Sequence, residues 1–428
     1  MAIFATLAVL IISFLLNIPI AFGLILSCLM YFTFNNSFSS EILIQRLISG
    51  MESVPLLAII FFISAGILMN YTGITSRMLR FSTVITNPLP GSLAQVNVIL
   101  STLMGGISGS NVADAAMQSK ILVPEMEKKG YKKSFSTVLT ASTSLITPII
   151  PPGIGLIMYG YVGNVSIGKL FMAGILPGIV LCICFMIYVH FYAKKYNLET
   201  DSSIKYSTKD FLLSFKDAAL ALLLPIIIIG GIRLGAFSAT EAGVIAVLYA
   251  IVLGMFIYRE MKVKQLILSL KETIQTAAAV LLIIAAGSAF GWVLTLERVP
   301  QKATELMVSF VSNEVLFFLI TLIFLLIVGM FLEGNVLIII LTPLFMPMLI
   351  EYGIDPVHFG IFFIMCISIG TLTPPLGTIM FTTCGITGTR FEEFIKESWP
   401  FLLLLIFAAL LIAFFPSISL FLPNLLGA

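Results

Sequence analysis

The stretch that decides the fold opens with Gly105-Gly106-Ile107-Ser108-Gly109-Ser110-Asn111 and closes with Thr147-Pro148-Ile149-Ile150-Pro151-Pro152. A knot of small polar residues and a proline break thus sit inside otherwise apolar sequence. Hydrocarbon offers the backbone no water, so irregular chain at membrane depth persists only where it is buried in protein or lines a cavity. The stretch is therefore a candidate binding site.

The surrounding composition makes membrane depth the right setting. Of 428 residues, 59% are hydrophobic and 10% are charged, and the mean hydropathy of +1.11 lies far outside the range of soluble domains. A net charge of +2, with no basic run interleaved with aromatics, argues against a nucleic-acid partner. Cys28, Cys182, Cys184, Cys366 and Cys384 are scattered through apolar runs without metal-ligand spacing, and all five are expected to be buried apolar side chains. Met1 to Leu16 has neither a positive n-region nor a small-residue cleavage site, so it is expected to be retained as the start of a first span.

A crossing needs about 20 apolar residues. On that measure residues 2–34 form one long tilted crossing kinked near Asn17 and Pro19, and a second span covers residues 51–71. Residues 92–122 are interrupted at 105–111, which leaves two pieces each too short to cross and predicts a re-entrant hairpin. Residues 134–165 cross while broken at Pro148, Pro151 and Pro152; plain spans follow at 170–192, 218–235, 239–258 and 273–295. A second interrupted hairpin, 313–351, breaks at Glu333-Gly334-Asn335, a second broken crossing, 357–388, breaks at Thr373-Pro374-Pro375, and 399–422 is the last span. Lys128, Lys129, Lys132 and Lys133, then Lys194 and Lys195, then Arg259, Lys262, Lys264 and Lys271, fall in loops on one side, which the positive-inside rule makes cytoplasmic. The chain is then expected to start in the cytoplasm and finish outside it. Residues 261–271 and 300–311 are amphipathic enough to lie along the interface and brace a scaffold.

The punctuation repeats. Pro124 and Pro347, Gly130 and Gly353, Pro151-Pro152 and Pro374-Pro375, and Pro177 and Pro400 are all separated by about 223 positions. An odd number of crossings between the two hairpins predicts opposite orientations. The lysine-rich turn 128–133 also matches Glu351-Tyr352-Gly353-Ile354-Asp355, which carries no basic residue. Inverted repeats with paired broken helices are a recurring plan of secondary transporters, with the site near the bilayer midplane.

The chemistry available at these breaks is that of a hard-cation and carboxylate site. Each proline lacks an amide hydrogen and frees the carbonyl four residues earlier. Pro151 and Pro152 release those of Thr147 and Pro148, and Pro374 and Pro375 those of Gly370 and Thr371. With the hydroxyls of Ser108, Ser110, Thr147, Thr371 and Thr373, the backbone at Gly109 and Gly334, and the side chains of Asn111 and Glu333, they form a donor set suited to sodium. Half-helix amide ends near Ser110, Pro152, Asn335 and Pro375 favour a substrate carboxylate. Asp114 and Glu333 are the acids nearest the tips; each either contacts ligand or, for Asp114, merely complements a helix dipole. Ser238-Ala239-Thr240-Glu241 has the spacing of a capping box. Trp292 and Trp399 are expected to be interfacial anchors. His190 and His358, expected near the interfaces, have no partner acid or nucleophile, so a catalytic reading has no support.

Gly106-Ile107-Ser108-Gly109-Ser110 with Ala113-Asp114, Ile150-Pro151-Pro152, Thr240-Glu241-Ala242 and Gly329-Met330-Phe331-Leu332-Glu333 resemble, in order along essentially the whole chain, the large membrane subunit of tripartite ATP-independent periplasmic (TRAP) transporters, the DctM-like family. Within it the sialic-acid type is most similar, although Asn111 replaces a more usual alanine and Lys120 a small residue. The resemblance implies an inner-membrane protein that is no enzyme and uses no cofactor beyond a coupling sodium ion. It implies a separate small four-helix membrane subunit, a periplasmic binding protein that delivers an organic anion, and an elevator motion. On that plan the chain divides into N-terminal scaffold spans (1–90), a first transport repeat (91–168), scaffold and connecting spans (169–312), a second transport repeat (313–388) and a C-terminal span (389–428). The alternatives are a stand-alone sodium/dicarboxylate symporter, an anion channel and an intramembrane enzyme.

Overall fold

The computed structural model describes residues 2–16, 18–35, 41–198 and 206–426. Among them every regular element is a helix, as an all-α membrane protein requires when hydrocarbon can satisfy no backbone group. Among the described residues six helices are long and apolar enough to cross a bilayer, or seven if one bent pair counts as a span.

The chain opens with α1 (Ala2–Leu15) and α2 (Ile20–Phe34), which pack against each other. The single tilted crossing expected for residues 2–34 is therefore not formed. Pro19, which has no amide hydrogen to continue α1, stands directly before α2. At 1.5 Å per residue each helix is only about 22 Å long, against roughly 30 Å of hydrocarbon. Asn17 lies outside the described residues. Next come α3 (Glu41–Ser49) and α4 (Val54–Met69), bent by 57° to one another, and then α5 (Ile74–Thr86).

Two series of helices follow one plan. The first is α6 (Ser92–Ser108), α7 (Asn111–Lys128), α8 (Lys133–Thr143, prolonged by the tight turn Ser144–Ile146), α9 (Ile154–Val162) and α10 (Ile167–Lys195). Between the series lie α11 (Thr208–Arg233), α12 (Ala239–Ile251), α13 (Val263–Leu296) and α14 (Val299–Phe310). The second is α15 (Glu314–Gly329), α16 (Gly334–Tyr352), α17 (Pro356–Leu372), α18 (Thr378–Thr387) and α19 (Phe391–Phe414), after which α20 (Pro416–Leu425) closes the described chain. Each helix of the second series starts about 223 residues after its counterpart. Both interrupted segments are helical hairpins, and both proline breaks separate two helices as the punctuation predicts.

The amphipathic stretch 261–271 does not form a separate horizontal helix. No proline interrupts Val263–Leu296, so it runs straight into the 34-residue α13. By contrast Arg298, at φ +55, and Pro300 start α14 as an element of its own. The capping box at α12 is formed: Glu241 Oε2 accepts from the Ser238 amide at 2.7 Å, and the Glu241 amide donates to Ser238 Oγ at 3.3 Å. His358 has hydrogen-bond partners inside the fold. It is buried, with Nδ1 2.7 Å from Ser419 Oγ and Nε2 3.2 Å from the Ala413 carbonyl, and so pins α20 against α17. Three of the five cysteines are buried; Cys182 and Cys184, on α10, are only half-buried.

The main core runs through both repeats together with α4 and α12. A smaller second core, including Leu24, Cys28, Phe290 and Val293, joins the N-terminal hairpin to the C-terminal half of α13. That arrangement leaves α4 and α13 as the elements between the repeats and the periphery.

Candidate functional site

At the first hairpin tip α6 ends at Ser108, and Gly109 takes φ +60, a left-handed conformation that glycine adopts without penalty. A side chain there would also strike the carbonyl oxygen of Pro152. The Ile154 amide donates to the Gly109 carbonyl at 3.4 Å, so the tip is seated on the proline break. Ser110 caps α7, its Oγ accepting from the Ala113 amide at 3.4 Å, and Asn111 Oδ1 accepts from the Val112 amide at 2.9 Å. Ser108 Oγ is buried with no hydrogen-bond partner among the described residues.

At the second tip Glu333 stands immediately before α16, and its Oε1 accepts from Asn335 Nδ2 at 2.9 Å. Below it Gly329 and Gly370 lie back to back: a Cβ on Gly370 would come within 2.6 Å of Gly329 Cα. The carbonyl of Gly370, expected to be freed by Pro374, instead accepts from the Thr373 amide at 3.0 Å. The hydroxyls of Thr371 and Thr373 turn back on their own helix, to the carbonyls of Ser368 and Ile369, each at 2.7 Å.

Both tips and both breaks open on one cavity of about 450 Å³. Gly109, Ser110, Asn111 and Pro148 reach it from the first repeat, and Glu333, Gly334, Asn335 and Thr371 from the second. The N-terminal ends of α7, α9, α16 and α18 all contribute lining residues. Their aligned peptide dipoles, and the end amides that no capping group takes, favour an anion beside Glu333, and among the described residues no Lys or Arg lines the cavity. The other expected residues do not line it. Ser108, Pro151, Pro152 and Gly370 stand behind the tips and breaks, Thr373 is turned away, and Pro375 is exposed. The opposite wall comes from elements that the motif argument passed over: Ile63 of α4, and Thr276, Ala279, Val280 and Ile283 of α13. Their signal was present as one helical face at i, i+3, i+4 and i+7, with Thr276 as its polar member.

Asp114 does not line the cavity either. It is 1% exposed and held inside the first repeat, where Ser101 Oγ and Thr147 Oγ1 donate to its Oδ2 at 2.8 and 3.2 Å, and Gln118 Nε2 to its Oδ1 at 2.8 Å. Thr143 links this cluster to Asn97, donating to Asn97 Oδ1 at 2.7 Å. Asp114 therefore ties both legs of the hairpin, through Thr147, to the base of the break.

Across residues 5–418 the sequence matches the family model described as tripartite ATP-independent periplasmic transporter, DctM component. The chain belongs to the DctM family. Among similar TRAP permeases, the sialic acid large permease protein SiaM of Vibrio cholerae is 36% identical over 96% of this chain and 95% of its own. The 2,3-diketo-L-gulonate large permease protein YiaN of Escherichia coli is 35% identical over 94% of each. The ectoine large permease protein TeaC of Halomonas elongata is 34% identical, covering 97% of this chain and 96% of its own. Relatives of nearly equal identity are thus named for chemically different solutes. Among solved structures, the YdaH transporter of Alcanivorax borkumensis superposes with a TM-score of 0.60 at 14% identity, over 88% of this chain and 87% of that one, a likeness of fold. This DctM-family chain is a transporter component and not an enzyme.

Proposed function

We propose that this TRAP permease is the membrane subunit of a sodium-coupled importer of an organic carboxylate. The observation that carries the proposal is the single cavity bounded by both hairpin tips and both proline breaks. Ser110 and Asn111, with the backbone at Gly109 and the carbonyls of Thr147 and Pro148, form one sodium site, backed by Ser108. Glu333, Gly334 and Thr371 form its counterpart. The solute carboxylate lies between them against the half-helix ends. The two repeats lie inverted in the bacterial inner membrane, N-terminus inside, each hairpin re-entrant. They move together as an elevator against α4 and α13, and a separate small membrane subunit and a periplasmic binding protein complete the system.

The test is uptake by liposomes containing this chain, with and without a small subunit and a binding protein, under an imposed sodium gradient. Uptake of a carboxylate that requires sodium and the binding protein is the expected result. Uptake indifferent to sodium would overturn the coupling, and uptake unaided by a binding protein would favour a stand-alone symporter.

A further inference from the structure

Relatives named for a sugar acid, a dicarboxylate and a cyclic zwitterion are about equally similar to this chain, so similarity does not select the solute. The cavity wall does. On the scaffold side Ile63, Val280 and Ile283 face it, and on the other side Ile338, Ile364 and Ile367. Ile63, Ile338, Ile364 and Ile367 are each no more than 3% exposed, packed into the main core and not adjustable surface groups.

Some of the polar members are spent on the protein. Thr371 donates to the Ser368 carbonyl and Ser368 Oγ to the Ile364 carbonyl, each at 2.7 Å. Asn335 Nδ2 is given to Glu333, and Asn111 Oδ1 to the Val112 amide. What is left to recognise a solute is the hairpin tips, where the helix amide ends hold a carboxylate, and two threonine hydroxyls, Thr276 of α13 and Thr378 of α18. Among the described residues no Lys or Arg lines the cavity to receive a second one.

We infer that the solute is a monocarboxylate with a compact branched or cyclic apolar body, and neither a polyhydroxylated sugar acid nor a dicarboxylate. A polyol chain laid along the isoleucine wall would lose its water and find few partners, and a second carboxylate there would be desolvated without a countercharge. Branched hydrocarbon gains contact with the same wall. The inference rests on the reading of the cavity as a sodium-coupled carboxylate site.

The experiment is thermal unfolding of the full chain in lipid nanodiscs, titrated with isovalerate, gluconate or succinate, in sodium and again in potassium. Isovalerate in sodium is expected to stabilise the protein with an apparent affinity at least about tenfold above either competitor, the discrimination that a few methyl groups give in a hydrophobic pocket. Val280→Thr, which keeps the side-chain shape and adds one hydroxyl to the wall, should shrink that preference several-fold in favour of gluconate. Sodium-dependent binding in which gluconate or succinate equals or exceeds isovalerate overturns the solute class and leaves the parent reading standing. No response to any of the three, or the same response in potassium, overturns both.

Discussion

In the first repeat Asn97, Ser101, Asp114, Gln118, Thr143 and Thr147 meet in one buried hydrogen-bonded cluster. At the matching positions of the second stand Ile320, Phe324, Leu337, Leu341, Cys366 and Gly370. There the helices are joined by rings: Phe345 and Phe359 lie 5.4 Å apart, Phe359 and Phe363 5.5 Å, and Phe318 meets Phe362 edge-on at 4.9 Å. One backbone plan is thus stabilised in two ways. Hydrogen bonds are directional and fail at full cost when one partner is lost. Aromatic packing is shared among many contacts and tolerates small shifts. The bases of the two breaks differ accordingly. Thr147 is tethered to Asp114, whereas Gly370 is held by backbone contact with Gly329.

The largest effect should come from breaking the second kind of support. Gly370→Ala places a Cβ against the backbone of Gly329, where no flexible side chain can yield, and should cost more than about 3 kcal/mol. The expected result is failure to purify as a monodisperse protein, or a large fall in unfolding temperature. Thr147→Ala, at the equivalent position, should remain folded. Near-wild-type unfolding of Gly370→Ala would mean that the two bases are not held differently.

A step smaller is the first repeat's cluster. Asp114→Leu, which installs the residue found at the matching position 337, strands the Ser101, Gln118 and Thr147 donors and should cost about 2–4 kcal/mol. Asp114→Asn should cost less, because the Gln118 amide can turn its unpaired Oε1 toward the new amide. Equal losses for the two variants in thermal unfolding would point to the charge, not the hydrogen bonds, as what the cluster needs.

Much of this was legible in the chain because the signals are local. Proline and glycine punctuation gives the breaks, and its repetition at about 223 residues gives the correspondence of hairpins. What was not legible depends on which way a side chain turns. Asp114, three residues into α7, faces inward to Ser101 and Gln118, and nothing in its own neighbourhood distinguishes that from facing the cavity. The wall from α13 carried only a weak mark: Thr276, Ala279, Val280 and Ile283 share one helical face, and in an apolar span such a face reads the same whether it meets lipid or a cavity. The single N-terminal crossing failed on a boundary: a hydropathy window runs across Pro19, where the chain turns and α2 begins, although α10 and α19 continue through Pro177 and Pro400.

The smallest effects separate support from ligation. Thr147→Val removes one long donor to Asp114, 3.2 Å, and leaves the Thr147 carbonyl in place. A loss of about 1 kcal/mol in stability is expected, with the sodium concentration for half-maximal transport unchanged. Thr371→Val removes a hydroxyl whose hydrogen is already returned to its own helix at 2.7 Å, so stability should barely move. Thr371 nevertheless lines the cavity and Thr147 does not. Its oxygen retains a lone pair toward the tips, and losing it should raise the half-saturating sodium concentration several-fold. If Thr147→Val shifted sodium dependence while Thr371→Val shifted only stability, the assignment of hydrogen-bonded support to the first repeat and ligation to the second threonine would have to be exchanged.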